Sequence, residues 1–112
     1  MYNSPSSSIV GFSFEVVALC RPVVEAVQRK DRDLASQLRR AISSISLNLA
    51  EGFGAARGNS RLRFETALGS LNEAQAGIQV ALAWGYVSNA AVTEALAAMS
   101  RLGGRIAGLV RR

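Results

Sequence analysis

A chain of 112 residues, 49% of them apolar, is long enough to bury one hydrophobic core and too apolar to be disordered. The absence of histidine excludes Ser–His and Cys–His hydrolases and Glu-x-x-His di-iron sites, and a single cysteine excludes an intramolecular disulfide. The net charge of +5 permits binding to a nucleic acid, an anionic membrane or an acidic protein without selecting among them, and a basic protein with no polyanionic partner stays an open alternative.

The start of the chain, residues 1–11, is rich in serine and is predicted to be a flexible lead to one helical domain, residues 12–112. The lead lacks the charged and long apolar regions of a signal peptide. The longest uncharged run, residues 74–93, contains glutamines, a glycine and a turn-like WGYVSN segment, which argue against a membrane span. We therefore expect a cytoplasmic protein.

The first helix is predicted over residues 12–29, because apolar side chains such as Val16 and Val23 recur there at helical spacing. Pro22 lies inside this pattern and predicts a kink or a late start of the helix. Cys20 lies close to the apolar face, with no neighbouring base in the sequence. It is predicted to be a buried structural thiol and not a nucleophile.

The second helix carries three distinct faces, and Asp31 or Asp33 is predicted to cap its start. One face is apolar and predicts a core stripe: Leu34, Leu38, Ala41, Ile42, Ile45, Leu49 and Phe53. A second face is polar: Gln37, Arg40, Ser44, Asn48 and Glu51. The third consists of small residues: Ser36, Ser43 and Ala50. A helix with these faces is predicted to be covered on more than one side, which favours assembly.

The chain is predicted to break after this helix at its next glycines, Gly52, Gly54 and Gly58. A third helix is expected to be capped by Asn59 or Ser60 and to run to residue 84, and a fourth to open at Ser88 or Asn89. Apolar side chains again recur at helical spacing: Phe64, Ala67, Leu68, Leu71, Ala74, Ile78 and Leu82, then Val92, Ala95, Leu96, Met99, Leu102, Ile106 and Leu109. The pattern predicts an all-α, antiparallel, up-down-up-down four-helix bundle.

Glycines inside the last two helices need an explanation, because each costs about 1 kcal/mol relative to alanine in a helix interior. Small or branched side chains lie away from the core stripe of the third helix: Gly69, Ala76, Gly77 and Val80. Close contact with a neighbouring subunit would explain them. The alternatives are that helices cross here within one bundle, or that the glycines are merely tolerated.

Glu51 needs a partner from outside its own helix. Arg40 lies about 16 Å away along the helix axis, so these two side chains cannot pair within one helix. The candidate partners lie on other helices, of this or of another molecule: Arg39, Arg40, Arg61 and Arg63. The polar residues that we interpret as a structural network or interface are Gln37, Arg40, Asn48, Glu51 and Glu73. The alternative is a polar pocket or pore lining.

Residue patterns with catalytic or metal-binding chemistry are missing from the sequence. Glu51, Glu65 and Glu73 do not have the spacing of a metal-ligand cluster. No Walker-type loop, dinucleotide fingerprint or nucleophile elbow occurs, and the GFGAARG segment follows a helix and not a strand. We therefore expect no catalytic residue, no cofactor, no metal and no enzymatic activity.

Arginines form two groups that could follow the phosphates of a nucleic acid: Arg57, Arg61 and Arg63, and Arg101, Arg105 and Arg112. The alternative is ordinary solvation, which for the second group also suits the negative end of the helix dipole. Aromatic side chains are not interleaved with these arginines, so sequence-specific single-strand readout is not expected. The arginines therefore predict binding without sequence preference.

Two segments of the chain resemble the motifs of a known family. SQLRRAISSISLNLAEG, residues 36–52, is similar to the signature of the 23S rRNA-intervening sequence proteins, first noticed as reading frames in bacterial large-subunit rRNA genes. ALGSLNE, residues 67–73, resembles the second motif of that family. Ser46 stands where the family commonly has proline, and Gln-Ala-Gly at residues 75–77 replaces a usual Glu-Thr-Gln run. The resemblance implies a bundle that assembles into a ring, often a homopentamer.

The same resemblance carries an expectation about function. Related bundles are accessory subunits of the reverse transcriptases of diversity-generating retroelements. This implies a non-enzymatic scaffold or adaptor that engages a nucleic acid, or a nucleic-acid-processing protein such as a reverse transcriptase. The alternative is a structural protein–protein interaction module with no affinity for nucleic acid. Salt dependence separates the two, because phosphate binding weakens steeply with salt.

Overall fold

Short polar side chains cap the start of three helices of the protein. The computed structural model describes residues 8–112 apart from the side chain of Arg57. Over this range the chain forms four helices and no strand: α1 (Ile9–Gln28), α2 (Arg32–Gly54), α3 (Arg57–Trp84) and α4 (Asn89–Arg111). Asp31 accepts a hydrogen bond from the amide of Leu34 at 3.0 Å, which confirms its predicted capping of α2. Ser88 caps α4 in the same way, again as predicted.

Helix α1 begins earlier than the sequence indicated. Ser8 accepts a hydrogen bond from the Gly11 amide at 2.8 Å, so the helix starts at Ile9, inside the predicted lead, whose residues 1–7 lie outside the described residues. The helix continues through Pro22, and the predicted late start is wrong. The carbonyl that loses its helical donor belongs to Ala18, an exposed residue, where water can satisfy it.

The connection between α2 and α3 differs most from the prediction. Helix α2 continues through Gly52 and ends at Gly54, and α3 begins at Arg57, so the predicted break is confirmed at Gly54 and is wrong at Gly52 and Gly58. Ser60 does not cap α3; its hydroxyl lies 2.6 Å from the Gly52 carbonyl and donates back to α2. Gly52 is buried against the ring of Phe64, where an added Cβ would lie 2.8 Å from Cδ1. Close packing therefore explains this glycine.

The four helices surround one apolar core in a body of 42 × 24 × 21 Å. Helix α1 packs against α2 and α4, and α3 packs against the same two helices. The core contains the predicted stripes, including Leu38, Ile45 and Ile106. Phe53 is the exception: its side chain is 52% exposed, and its ring lies 5.0 Å from that of Phe64 at the edge of the core.

A buried polar contact joins α1 to α2. The Ser13 hydroxyl donates to the Val10 carbonyl at 2.6 Å and lies 2.8 Å from the Ser46 hydroxyl, which therefore donates to it. Both serines are buried, and among the described residues no buried side-chain nitrogen or oxygen lacks a partner. Ser46 thus forms an interhelical hydrogen bond.

None of the described helices combines the length and the apolar character that crossing a membrane requires.

Candidate functional site

Arg101 and Arg105 form an exposed pair on α4, which we call the α4 arginine pair. Both guanidinium groups lie over the ring of Phe12 on α1, at 5.7 and 5.4 Å from its centroid. Neither arginine forms an ion pair with a carboxylate among residues 8–112. The ring face attracts the cations without neutralising them, so their positive charge and N–H donors stay available to a ligand.

The arginines of α3 are in a different electrostatic setting. Arg61 Nε lies 3.8 Å from Glu65 Oε2, and Arg63 Nη1 lies 3.0 Å from Glu51 Oε2. The expectation that Glu51 finds its partner on another helix is confirmed, with Arg63 as that partner. These exposed pairs contribute little to stability, but each carboxylate offsets the positive charge of its arginine. Arg57 is the first residue of α3, and its side chain lies outside the described residues.

Arg112 connects the two groups in space. It lines an open groove of about 300 Å³ together with Arg61 and the rings of Phe53 and Phe64. This groove lies where α2, α3 and the end of α4 meet. The structure thus places Arg61 of the first group beside Arg112 of the second. The α4 arginine pair lies nearer the start of α4.

A polar network does join α2 to α3, with fewer of the predicted members than expected. The Ser44 hydroxyl lies 2.8 Å from that of Ser70, and Asn48 Nδ2 donates to the Ser44 carbonyl at 2.9 Å. Arg63 Nη1 reaches Asn48 Oδ1 at 3.5 Å and also pairs with Glu51. No sequence pattern indicated Ser70, because its partner lies 26 positions away.

Three residues assigned to this network stay outside it. Gln37, Arg40 and Glu73 are exposed, and none makes a hydrogen bond or ion pair with another described side chain. An interface with another molecule stays a prediction for them.

The outward face of α3 combines small and apolar residues. Gly69 and Ala76 are exposed, and a Cβ added at Gly69 would meet nothing within 4 Å. Val80 is 44% exposed, and Leu62 lies exposed on the same face. Gly77 does not belong to it: an added Cβ would lie 2.6 Å from Leu38 Cδ2, so the alternative of a close crossing within one bundle is correct for that residue. We call Leu62, Gly69, Ala76 and Val80 the α3 outer face.

Cys20 and the acidic residues offer little to a reaction or a metal. Cys20 is 1% exposed, and burial raises its pKa to about 11, so the thiol is protonated at neutral pH. Its sulfur lies 3.9 Å from Met99 Sδ in the core, which confirms the predicted burial. Among the described residues no three histidine, cysteine or acidic side chains gather into a potential metal site.

Comparisons with known proteins agree with this architecture. The model of the 23S rRNA-intervening sequence protein family matches residues 11–108. A crystal structure of a protein of unknown function, from the S23 ribosomal protein family of Bacteroides thetaiotaomicron, is similar with a TM-score of 0.84 and 15% identity. The match covers 94% of this chain and 100% of that one, and at this identity it shows the fold alone. The comparison with curated proteins found no match.

Proposed function

The chain belongs to the 23S rRNA-intervening sequence protein family, and from this premise we propose that it is a non-enzymatic, homo-oligomeric scaffold that binds nucleic acid without sequence preference. The α4 arginine pair is the proposed contact surface. The observation that carries the proposal is that Arg101 and Arg105 are exposed and have no carboxylate partner in the described part of the chain.

The chemistry of the α4 arginine pair suits phosphate groups. A guanidinium held over an aromatic ring keeps its N–H edge free, and that edge matches the geometry of phosphate oxygens. The Phe12 ring lies within cation–π distance of both cations, which limits the side-chain freedom that binding would otherwise remove. Such contacts follow a backbone and do not distinguish bases. Arg112 would extend the path toward the end of the bundle.

Assembly is the second part of the proposal. The α3 outer face supports it, because exposed Leu62 and Val80 with Gly69 and Ala76 between them form a surface on which another copy could pack closely. Within each copy we propose antiparallel neighbours, supported by the short connections and by contacts that recede along α3 as they advance along α2: Leu38 with Gly77, Ser44 with Ser70 and Asn48 with Arg63.

The family resemblance extends the assembly to a homopentameric ring. Repetition of the α4 arginine pair around a ring would raise the avidity for a long polyanion. The same resemblance suggests a protein partner that processes nucleic acid, such as a reverse transcriptase, and a cytoplasmic place of action. Light scattering measures the subunit number. Ala76→Glu on the α3 outer face should lower the mass, whereas Ala97→Glu, on an exposed position of α4, should leave it unchanged.

Fluorescence anisotropy with structured RNA and duplex DNA across a salt series tests the nucleic-acid contact. We expect binding that weakens steeply with salt, and a shallower salt slope for Arg101→Gln/Arg105→Gln, by about one unit for each lost phosphate contact. The matched control is Arg21→Gln/Arg61→Gln, which removes the same charge from arginines that already face Glu25 and Glu65. Equal losses of affinity in both variants would show that net charge alone explains the effect. That result would contradict the assigned surface.

A second candidate function, a protein-interaction module without affinity for nucleic acid, is supported by the outer side of α2. Leu47 is 64% exposed and lines an open groove with Arg39, Arg40 and Ser43. Exposed apolar side chains rimmed by polar ones are typical of protein contacts. No binding of RNA or DNA at low salt, together with an intact oligomer, would favour this candidate over the first.

A further inference from the structure

Two connections of the bundle meet at one end of the molecule. The Tyr86 hydroxyl, in the connection between α3 and α4, donates to Asp31 Oδ2, in the connection between α1 and α2, at 3.2 Å. Desolvation and, after it, the Asp31 carboxylate raise the pKa of Tyr86, so the phenol keeps its proton and stays a donor at neutral pH. The hydrogen bond fixes the position of the Tyr86 ring.

Trp84 extends this ring into a larger aromatic platform. Its indole ring stacks on Tyr86 with centroids 6.3 Å apart and an angle of 16° between the planes. Gly85, with a φ of 78°, turns the chain between the two rings in a conformation that glycine adopts without strain. The Trp84 side chain is nevertheless 69% exposed, so most of its surface faces water. We call Trp84 and Tyr86 the aromatic platform.

Basic residues lie in and beside the α1–α2 connection, which Tyr86 contacts through Asp31. Arg29, Lys30 and Arg32 are all exposed, and Lys30 and Arg32 are the immediate chain neighbours of Asp31, about 3.8 Å away between Cα atoms. The Asp31 carboxylate is already engaged, by the Leu34 amide and by Tyr86. Asp33, in the first turn of α2, is the other acid of this segment and is exposed. Three cations and two carboxylates give this segment, residues 29–33, a net positive charge.

We infer that this end of the bundle binds a single-stranded nucleic acid, with one base stacked on Trp84 and the adjoining phosphates beside Arg29, Lys30 and Arg32. An aromatic surface beside cations is the combination that single-strand binding uses, and it tolerates every base because each has a π face. A base in a duplex is already stacked between its neighbours, so a duplex does not offer the same contact.

The site is separate from the α4 arginine pair and adds a ligand class to the proposed function. Helix α4 begins at this end, at Asn89, and Arg101 follows about 18 Å along the helix axis. The sequence did not reveal the site, because 55 positions separate Tyr86 from Asp31. The earlier prediction about aromatic rings concerned the two arginine groups on α3 and α4. It compared positions along the chain, not in space.

The intrinsic fluorescence of the protein tests the inference directly, because Trp84 is the single tryptophan of the chain. Titration with a short oligo(dT) at low salt should quench the emission to saturation, and a duplex of equal length should not. Arg101→Gln/Arg105→Gln should keep this quenching. Binding of labelled oligo(dT) without any quenching would overturn the site while leaving the proposed function standing. Quenching by oligo(dT), with no binding of duplex DNA or structured RNA, would support this site and contradict the proposed function.

Variants measured by anisotropy with labelled oligo(dT) complete the test. Trp84→Leu should weaken binding by about 5- to 100-fold, and Trp84→Phe, which keeps a ring, should lose less. Lys30→Gln/Arg32→Gln should weaken binding and lower the salt slope, whereas Arg21→Gln/Arg61→Gln should change the slope less. Thermal melts establish that each variant is folded. Unchanged affinity in Trp84→Leu, or a lower oligomer mass in that variant, would overturn the inference and assign the platform to contact with another copy.

Discussion

The side of the bundle where α2 meets α3 and the side where α1 meets α4 use their polar residues differently. Between α2 and α3, Arg63 bonds to both Asn48 and Glu51. Between α1 and α4, the contact in the core is apolar, and Arg101 and Arg105 lie outside it over one aromatic ring. Side chains that bind each other offset each other's charge, whereas unpaired cations stay free for a partner. Exposure alone would not have separated these two kinds of arginine.

The largest expected effect concerns the close packing of α2 on α3. Gly52→Val places side-chain atoms where the Phe64 ring lies, and overpacking of this kind costs up to about 3 kcal/mol. Gly54→Val is the matched control, because a Cβ at Gly54 meets nothing within 4 Å. Denaturant unfolding measures both. Equal stability of the two variants would show that the α2–α3 junction is loosely packed. It would contradict the close contact of Gly52 with Phe64.

On the side where α1 meets α4, the buried Cys20 makes the stability of the protein depend on pH. The thiol is neutral in the folded state up to its pKa of about 11, whereas the unfolded chain loses the proton above the ordinary value of 9.0. The unfolded state therefore binds fewer protons between these values, and stability falls as pH rises through them, by about 2–3 kcal/mol in total. Unfolding of the wild type and Cys20→Ala from pH 8 upward measures the difference. Parallel curves would contradict the burial of the thiol.

The buried serine pair between α1 and α2 tests whether hydrogen bonds stabilise this packing as they do between α2 and α3. Ser46→Ala removes one interhelical bond and should cost about 1 kcal/mol. Ser13→Ala leaves the buried Ser46 hydroxyl without its partner and should cost about 1–3 kcal/mol. The double variant should lose less than the sum of the two. Additive losses would mean that the serines do not interact.

Apolar periodicity was enough to predict four helices and most of the core, because burial follows from which residues share a helix face. Leu38 and Ile45 were assigned to the core on that ground, and Asp31 to a cap on local chemistry. Ser60 could not be placed correctly, because its hydrogen bond depends on where the Gly52 carbonyl lies after α3 has folded back.

The candidate site was harder to predict than the core for the same physical reason. Sequence patterns identified the α4 arginine pair but not the Phe12 ring beneath it. The patterns identified Glu51 but offered several partners besides Arg63. Contacts between side chains far apart in the chain depend on tertiary packing, which helical periodicity does not encode.

The smallest expected effect is on the stability contributed by the exposed arginines, and it sharpens the comparison most. Arg63→Gln breaks the pair with Glu51 and weakens the contact with Asn48, so it should lower the free energy of unfolding by about 0.2–1 kcal/mol. Arg105→Gln breaks no ion pair and leaves Arg101 over the Phe12 ring, so its cost in stability should be no larger, while it weakens nucleic-acid binding more than Arg63→Gln does. Unfolding and anisotropy on the same two variants give both quantities. If Arg63→Gln loses both stability and binding while Arg105→Gln loses neither, the division between the two sides of the bundle is wrong. Nucleic acid would then contact the α2–α3 side, through arginines that already pair with carboxylates of the fold.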